Sequence, residues 1–257
     1  MAEAGATRRI TVERHSGFAV VVLDDPGRRN ALSLEMSSDL TEAVSALEES
    51  GEVCAFIVTG APPAFCAGAD LGQLGSADED RLRAIYAGFE RVVRSPLLTV
   101  AAVNGAAVGA GINLALACDV RLAAESARFD TRFLALGLHP GGGHSWMLER
   151  ALTYPGAVAM LFGGEAIPGA EAERIGLAHR CVPDDELLET AEAFVATAAA
   201  APRELVARMK ATLSLARRSS YDEALGHEVT EQLWSTGQPA FAERLAMLRS
   251  RISSSGR

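Results

Sequence analysis

The sequence predicts an α/β protein in which a mostly parallel sheet is followed by a helical C-terminal region. Three observations indicate this class. Buried strand patterns alternate with helical patterns as far as about residue 123. Beyond residue 144 strand patterns nearly vanish and amphipathic helical patterns replace them. The chain of 257 residues, 49% hydrophobic and 22% charged, is long enough to bury one large core without disulfides.

The first predicted unit is a strand, a helix and a second strand. Gly17 to Asp24 form an apolar, valine-rich run that ends at a Pro-Gly turn, which is typical of a buried strand. A helical period follows, and Ser33 is its candidate N-cap. Its apolar positions are Met36, Leu40, Ala43, Val44 and Leu47. The second buried strand spans Val53 to Thr59.

The alternation then continues along the chain. The next predicted elements are a helix at Asp80 to Val93, a strand at Leu98 to Val103, a short helix at Gly111 to Ala117 and a strand at Asp119 to Ala123. Strands that alternate with helices in this way favour a parallel sheet with right-handed crossovers.

The C-terminal part is predicted to be helical apart from one short strand at Ala178 to Val182. Proline, serine and glycine residues separate four amphipathic segments. These segments are Asp184 to Ala199, Arg203 to Arg217, Tyr221 to Trp234 and Pro239 to Arg251.

Charge and composition exclude several classes of protein. The 24 Lys and Arg residues against 33 Asp and Glu residues give a net charge of -9, which argues against binding to DNA, RNA or an anionic membrane. The sequence has no apolar run of membrane-spanning length, and Met1 to Ile10 lack the apolar core of a signal peptide. The four cysteines are scattered without a C-x-x-C pair. We therefore expect a cytoplasmic protein with reduced thiols and no metal site.

Two loops rich in small residues follow predicted strands. The run Gly105 to Gly111 opens a helix, but Leu114 stands where a G-x-G-x-x-G fingerprint needs its third glycine. The run Phe65 to Leu71 also offers backbone amides between small side chains. Such amides suit an anion or a developing oxyanion. At the ends of adjacent parallel strands, the two loops are expected to converge where α/β sheets bind ligands.

Over roughly residues 8 to 252 the sequence resembles the crotonase superfamily, also called the enoyl-CoA hydratase/isomerase family. The segments that carry the resemblance are Arg28 to Ser33, Ala64 to Leu71, Ala102 to Gly111, Ala117 to Asp119, Gly137 and Pro140 to Gly143.

The resemblance implies a crotonase-type spiral of β-β-α units with a helical C-terminal trimerisation region. It places the spiral core and the acyl-CoA site in residues 1–200, and the helical oligomerisation region in residues 201–257. It also implies a homotrimer or a dimer of trimers.

The ligand implied by the resemblance is an acyl-CoA thioester, with no cofactor other than the coenzyme A of the substrate. The backbone amides of Ala69 and Ala110 match the pair that holds the thioester carbonyl oxygen. The segment Ala67 to Leu71 would cradle the adenine, and Arg28, Arg29 and Asn30 would line the CoA entrance. The implied substrate-binding positions are thus Arg28, Arg29, Asn30, Ala67, Gly68, Asp70, Leu71 and Gly109.

Two positions depart from the family pattern. Asn113 and Phe133 stand where hydratases of the family carry their two catalytic glutamates. Hydration of an enoyl group needs a base for the water and an acid for the α-carbon, and neither side chain can supply them. Asp130, His139 and His144 are nearby candidates for proton transfer.

Three functions remain open from the sequence. The first is a hydratase-like lyase of fatty-acid or related acyl-CoA metabolism. The second is another reaction through a thioester enolate, such as isomerisation or decarboxylation. The third is acyl-CoA binding without catalysis. The acyl chain and the pathway are not specified by these residues.

Overall fold

The computed structural model describes residues 9–75 and 78–255, which form ten strands, ten α-helices and three short 3₁₀ turns. The strands are β1 (Ile10–Arg14), β2 (Phe18–Leu23), β3 (Ala55–Gly60), β4 (Ala64–Cys66), β5 (Leu98–Val103), β6 (Ala106–Val108), β7 (Val120–Ala124), β8 (Arg128–Asp130), β9 (Ile167–Pro168) and β10 (Arg180–Val182). The helices are α1 (Leu34–Ser50), α2 (Leu71–Leu74), α3 (Glu79–Val93), α4 (Ala110–Ala117), α5 (His144–Gly163), α6 (Gly169–Arg174), α7 (Leu187–Ala199), α8 (Arg203–Ala216), α9 (Tyr221–Thr236) and α10 (Pro239–Ser255).

The larger sheet has the strand order β1-β2-β3-β5-β7-β10. Its neighbours pair in parallel from β2 to β10, and only β1 pairs antiparallel, with β2. The central strands β3 and β5 are buried along almost their whole length. This burial explains why both read as continuous apolar runs rather than as alternating ones.

The smaller sheet has the order β4-β6-β8-β9, in which β4, β6 and β8 are parallel and β9 is antiparallel to β8. None of its strands was predicted from periodicity, because segments of two or three residues are too short to show a period. The sequence patterns do not predict strand β1 either. Because β4 and β6 are parallel neighbours, the chain leaves both at the same edge of the sheet, and this edge forms the site.

Helix α1 begins as predicted. The Ser33 hydroxyl accepts a hydrogen bond from the Met36 amide at 3.1 Å, which satisfies one of the free N–H groups of the first turn. The predicted apolar positions Met36, Leu40, Val44 and Leu47 face the core, while Ala43 is partly buried.

Two side chains of α8 bond the helical C-terminal region to α1 and to the residues that precede β3, β5 and β7. Arg203 donates to the carbonyl oxygens of Glu48 and Val53 at 2.6 and 3.1 Å. Lys210 donates to the Leu97 carbonyl at 2.8 Å and pairs with Asp119 at 2.7 Å. The division into residues 1–200 and 201–257 stays a prediction. Across the described residues, no helix is both long and apolar enough to span a membrane.

Candidate active site

A cleft of about 300 Å³ opens at the edge where β4 and β6 end. Its lining is largely apolar and includes side chains of α2, α3 and residues 133–138. It brings together nine of the predicted site residues: Ala67, Gly68, Ala69, Leu71, Gly109, Ala110, Asn113, Phe133 and His139. Another depression, of about 400 Å³, contains none of them.

Two loops bring the amides of Ala69 and Ala110 to this cleft. Gly68 has a φ of +101°, and a Cβ there would lie 2.7 Å from the Val108 carbonyl oxygen and 3.7 Å from the Ala110 nitrogen. The loops therefore touch, and only glycine fits at position 68. Gly109, with a φ of +51°, turns the chain into α4.

Neither amide is used by the backbone of the described residues. Hydrogen bonds from Leu32 N–H to Gly68 O and from Asp70 N–H to Leu32 O flank Ala69, at 2.7 and 3.0 Å. Because these bonds alternate along an extended segment, the Ala69 N–H faces away from Leu32. The Ala110 N–H belongs to the first residue of α4 and has no intrahelical acceptor. Two free donors thus meet at one cleft.

Asn113 lies one turn after Ala110 and is 1% exposed. Its Nδ2 donates to the Gly141 carbonyl at 2.9 Å, and its Oδ1 lies 2.6 Å from Nδ1 of His144. Since a carbonyl can only accept, the amide orientation is determined, and His144 must carry its proton on Nδ1. The side chain of Asn113 is therefore held by partners on both sides.

His144 lies behind Asn113 and does not line the cleft. It is 1% exposed, and its Nε2 has no hydrogen-bond partner among the described residues. Its ring packs edge-on against Phe133, with 4.8 Å between ring centroids. Burial lowers the pKa of the imidazole from 6.5 to about 4, so that His144 is neutral at pH 7.

The other proton-transfer candidates differ in position. Asp130 lies outside the cleft lining, and its carboxylate accepts from the Arg132 guanidinium, with 2.9 Å to Nε. His139 lines the cleft and is exposed, and its Nδ1 lies 2.7 Å from the Pro140 carbonyl, to which it donates. Among the described residues that line the cleft there is no carboxylate.

Residues 13–246 match the family model described as "Enoyl-CoA hydratase/isomerase". The chain belongs to this family. A relative from Mycobacterium tuberculosis, "Probable enoyl-CoA hydratase EchA14", is 45% identical over 252 residues, which cover 94% of this chain and 97% of that protein.

Solved structures of the enoyl-CoA hydratase/isomerase family share the fold. An enoyl-CoA hydratase from Bacillus anthracis superposes with a TM-score of 0.89 at 28% identity, covering 95% of this chain and 96% of the other. A putative enoyl-CoA hydratase from Thermobifida fusca in complex with acetoacetyl-CoA gives 0.82 at 28% identity, covering 89% and 94%. The predicted crotonase fold with a helical C-terminal region is confirmed.

The segment Arg28 to Asn30, which is expected at the CoA entrance, has two exposed side chains and one buried side chain. Arg28 and Arg29 are exposed, and Arg28 lies 3.5 Å from Asp70, whose carboxylate also caps α2. Asn30, in contrast, is fully buried and bonds to the backbone at Asp25, Ala61 and Ala64. The polar atoms of the Asn30 side chain thus hold the loop before β4. That the segment Arg28 to Asn30 lines the CoA entrance stays a prediction.

Several cleft residues were not predicted from the sequence. Tyr86 and Leu82 come from α3, and Leu136 and Leu138 come from the segment after Phe133. The helical period of α3 indicates an apolar face, but it does not show that one edge of that face borders a cleft. No described group of three or more His, Cys, Asp or Glu residues could hold a metal ion, and the four cysteines are free.

Proposed function

We propose that this protein binds an acyl-CoA thioester, whose carbonyl oxygen accepts hydrogen bonds from the N–H groups of Ala69 and Ala110. The observation that carries the proposal is the meeting of two unused backbone donors at one largely apolar cleft. Family membership and the acetoacetyl-CoA complex of the Thermobifida fusca protein support the same ligand class. The coenzyme A belongs to the substrate, and no other cofactor is needed.

The reaction that we propose is that of a hydratase-like lyase working through a thioester enolate. Negative charge then develops on the oxygen that the two amides face, and donors placed in advance stabilise that charge. Loss of one such donor typically costs about 2.7–4 kcal/mol in the transition state.

The groups that would serve as acid and base in this reaction differ from the two glutamates of family hydratases. Asn113 and Phe133 occupy the two glutamate positions implied by the family, and no carboxylate lines the cleft within the described residues. Among the three proton-transfer candidates, only His139 lines the cleft, so we assign proton transfer to it. A second reaction of the enolate, isomerisation or decarboxylation, uses the same residues.

Acyl-CoA binding without turnover is the second candidate function. The lack of a carboxylate in the described lining of the cleft favours it, because binding needs the two donors but no acid or base. Turnover of a panel of acyl-CoA thioesters separates an enzyme from a binder. Exchange of the α-proton in heavy water identifies an enolate reaction.

For the rest of the ligand, we assign the adenine to the segment Ala67 to Leu71 and the phosphates to Arg28 and Arg29, which are exposed beside it. Arg29 is next to this segment, since its carbonyl accepts from Ala67 N–H at 3.0 Å. We place the reaction in the cytoplasm, where the four free cysteines stay reduced.

We also propose that the protein is a homotrimer or a dimer of trimers. Large apolar side chains of the C-terminal helices stand exposed on the single chain, among them Met209, Leu213 and Leu233. Met209 and Leu213 are four residues apart on α8 and so lie on one face of that helix. An exposed apolar face is typical of an interface between subunits. Light scattering after size-exclusion chromatography measures the oligomeric state, and a monomer would contradict this proposal.

The experiment that tests the binding proposal is Ala110→Pro, with Ala110→Gly as its matched control. Proline at the first position of a helix removes the N–H without disturbing the intrahelical bonds. Glycine keeps the N–H and removes only the methyl group. We expect the proline variant to lose affinity for acyl-CoA, and at least about 100-fold in any turnover, while the glycine variant resembles the wild type. Equal affinity and turnover in both folded variants would refute the role of this amide.

A further inference from the structure

Tyr86 of α3 brings a polar group into the largely apolar cleft. It lines the cleft, and its hydroxyl stands beside Gly141, where a Cβ would lie only 2.3 Å from the hydroxyl oxygen. Its ring is fixed against Phe89, with 5.5 Å between ring centroids. Burial raises the pKa of the phenol above its ordinary value of 10, so the hydroxyl is an O–H donor at neutral pH. The hydroxyl has no hydrogen-bond partner among the described residues.

The other polar side chains in the cleft lining all have partners. Asn113 binds Gly141 and His144, and Thr131 donates to the Met160 carbonyl at 3.3 Å. Arg132 binds Asp130, and the Nδ1 of His139 binds the Pro140 carbonyl. Of the polar side chains that the structure describes in the cleft lining, only that of Tyr86 thus makes no hydrogen bond to the protein.

This hydroxyl lines the same cleft as the two amides. Ala110 is followed one turn later by Asn113, which bonds to the Gly141 carbonyl, and the Tyr86 hydroxyl lies against Gly141. An acyl group that is held by the amides and extends along the cleft toward Gly141 therefore approaches the hydroxyl. If that group is a plain hydrocarbon, it removes water from the O–H without replacing the lost hydrogen bond, which is unfavourable.

We propose that Tyr86 determines substrate specificity, and that the cleft prefers acyl-CoA thioesters whose acyl part carries a hydrogen-bond-accepting oxygen over those with a hydrocarbon chain. The inference rests on the proposed acyl-CoA function and adds the chemical class of the acyl group. A site that donates a hydrogen bond to its ligand discriminates against the analogue that lacks the acceptor, because its own donor is then left unpaired.

Two matched pairs of thioesters test the preference. Butanoyl-CoA and acetoacetyl-CoA differ by an oxygen on carbon 3, and hexanoyl-CoA and 5-oxohexanoyl-CoA differ by an oxygen on carbon 5. Calorimetric titration of the full chain with each thioester gives the ratio of dissociation constants within each pair. We expect the wild type to prefer the oxo member of at least one pair by roughly tenfold.

Tyr86→Phe keeps the ring and removes only the hydroxyl. We expect it to abolish the preference while the affinity for the hydrocarbon thioester stays the same or rises. Gly141→Ala should reduce the preference as well, because its Cβ displaces the hydroxyl. Tyr154→Phe makes the same chemical change at an exposed position and should leave the ratios as they are.

The outcomes separate this inference from the function on which it rests. If the wild type binds all four thioesters and Tyr86→Phe changes neither ratio, the specificity role is wrong while acyl-CoA binding stands. If the wild type binds none of the four, acyl-CoA binding itself is wrong, and the specificity role with it.

Discussion

Acidification below pH 6.5 should destabilise this protein through one histidine, His144. The residue is 1% exposed, its Nδ1 is bonded to Asn113, and its Nε2 has no partner among the described residues. A proton added to Nε2 would create a buried charge without a counter-charge beside it. Burial therefore lowers the pKa of His144 to about 4 in the folded state, against about 6.5 in an unfolded chain.

The sign and the size of the effect follow from these two values. Between pH 6.5 and pH 4 the unfolded chain binds a proton at this residue and the folded chain does not, so falling pH favours unfolding. Each pH unit in this range corresponds to about 1.4 kcal/mol. The free energy of unfolding should thus fall by about 2 kcal/mol from pH 7 to pH 5, and by about 3 kcal/mol at pH 4.

The assay is chemical denaturation of the wild type and of His144→Asn at pH 7, 6 and 5. Asparagine can keep a donor near the position of Nδ1 but does not titrate. It leaves a small cavity, so the variant is less stable at every pH, and the comparison uses only the change with pH. His15→Asn, at an exposed position, is the matched control.

We expect the wild type and His15→Asn to lose stability in parallel on acidification, and His144→Asn to lose about 2 kcal/mol less between pH 7 and pH 5. If the change with pH is the same in all three proteins, His144 is not a buried neutral histidine and the reasoning fails.

The remaining predictions concern the two loops and the missing glutamates. Ala69→Pro should abolish turnover because it removes an N–H, whereas Ala69→Val should retain much of it because the donor remains; steady-state kinetics of the folded variants would detect the opposite order. With Asn113 and Phe133 at the glutamate positions, hydration of a short enoyl-CoA should be slower than in a two-glutamate site by roughly 10²- to 10⁴-fold for each missing group. Fast hydration in a thioester absorbance assay would contradict this estimate. Asn30→Ala should reduce the free energy of unfolding by about 3 kcal/mol, because several buried backbone groups lose their partners. A loss below about 1 kcal/mol would show that these bonds contribute little.

Local sequence was sufficient for the main elements of the fold. The buried strands β2, β3 and β5 are long apolar runs and α3 has a helical period, and their predicted bounds agree with the structure within two residues. For α1 the predicted N-cap, Ser33, is confirmed. Sequence patterns do not predict the small sheet, because β4, β6, β8 and β9 have three residues or fewer. The partners of such strands are distant in sequence, and only the folded chain brings them together.

The site shows the same division. The sequence alone determined the two loops of small residues, the family resemblance and the absence of glutamate at positions 113 and 133, since these depend on residue identity and order. Only the tertiary structure decided three further points. His144 lies behind Asn113, the Asn30 side chain bonds to backbone groups, and Tyr86 faces the cleft. Periodicity reports which face of an element is apolar. Burial, partners and pKa depend on what other elements place against that face, and that is a property of the packed chain.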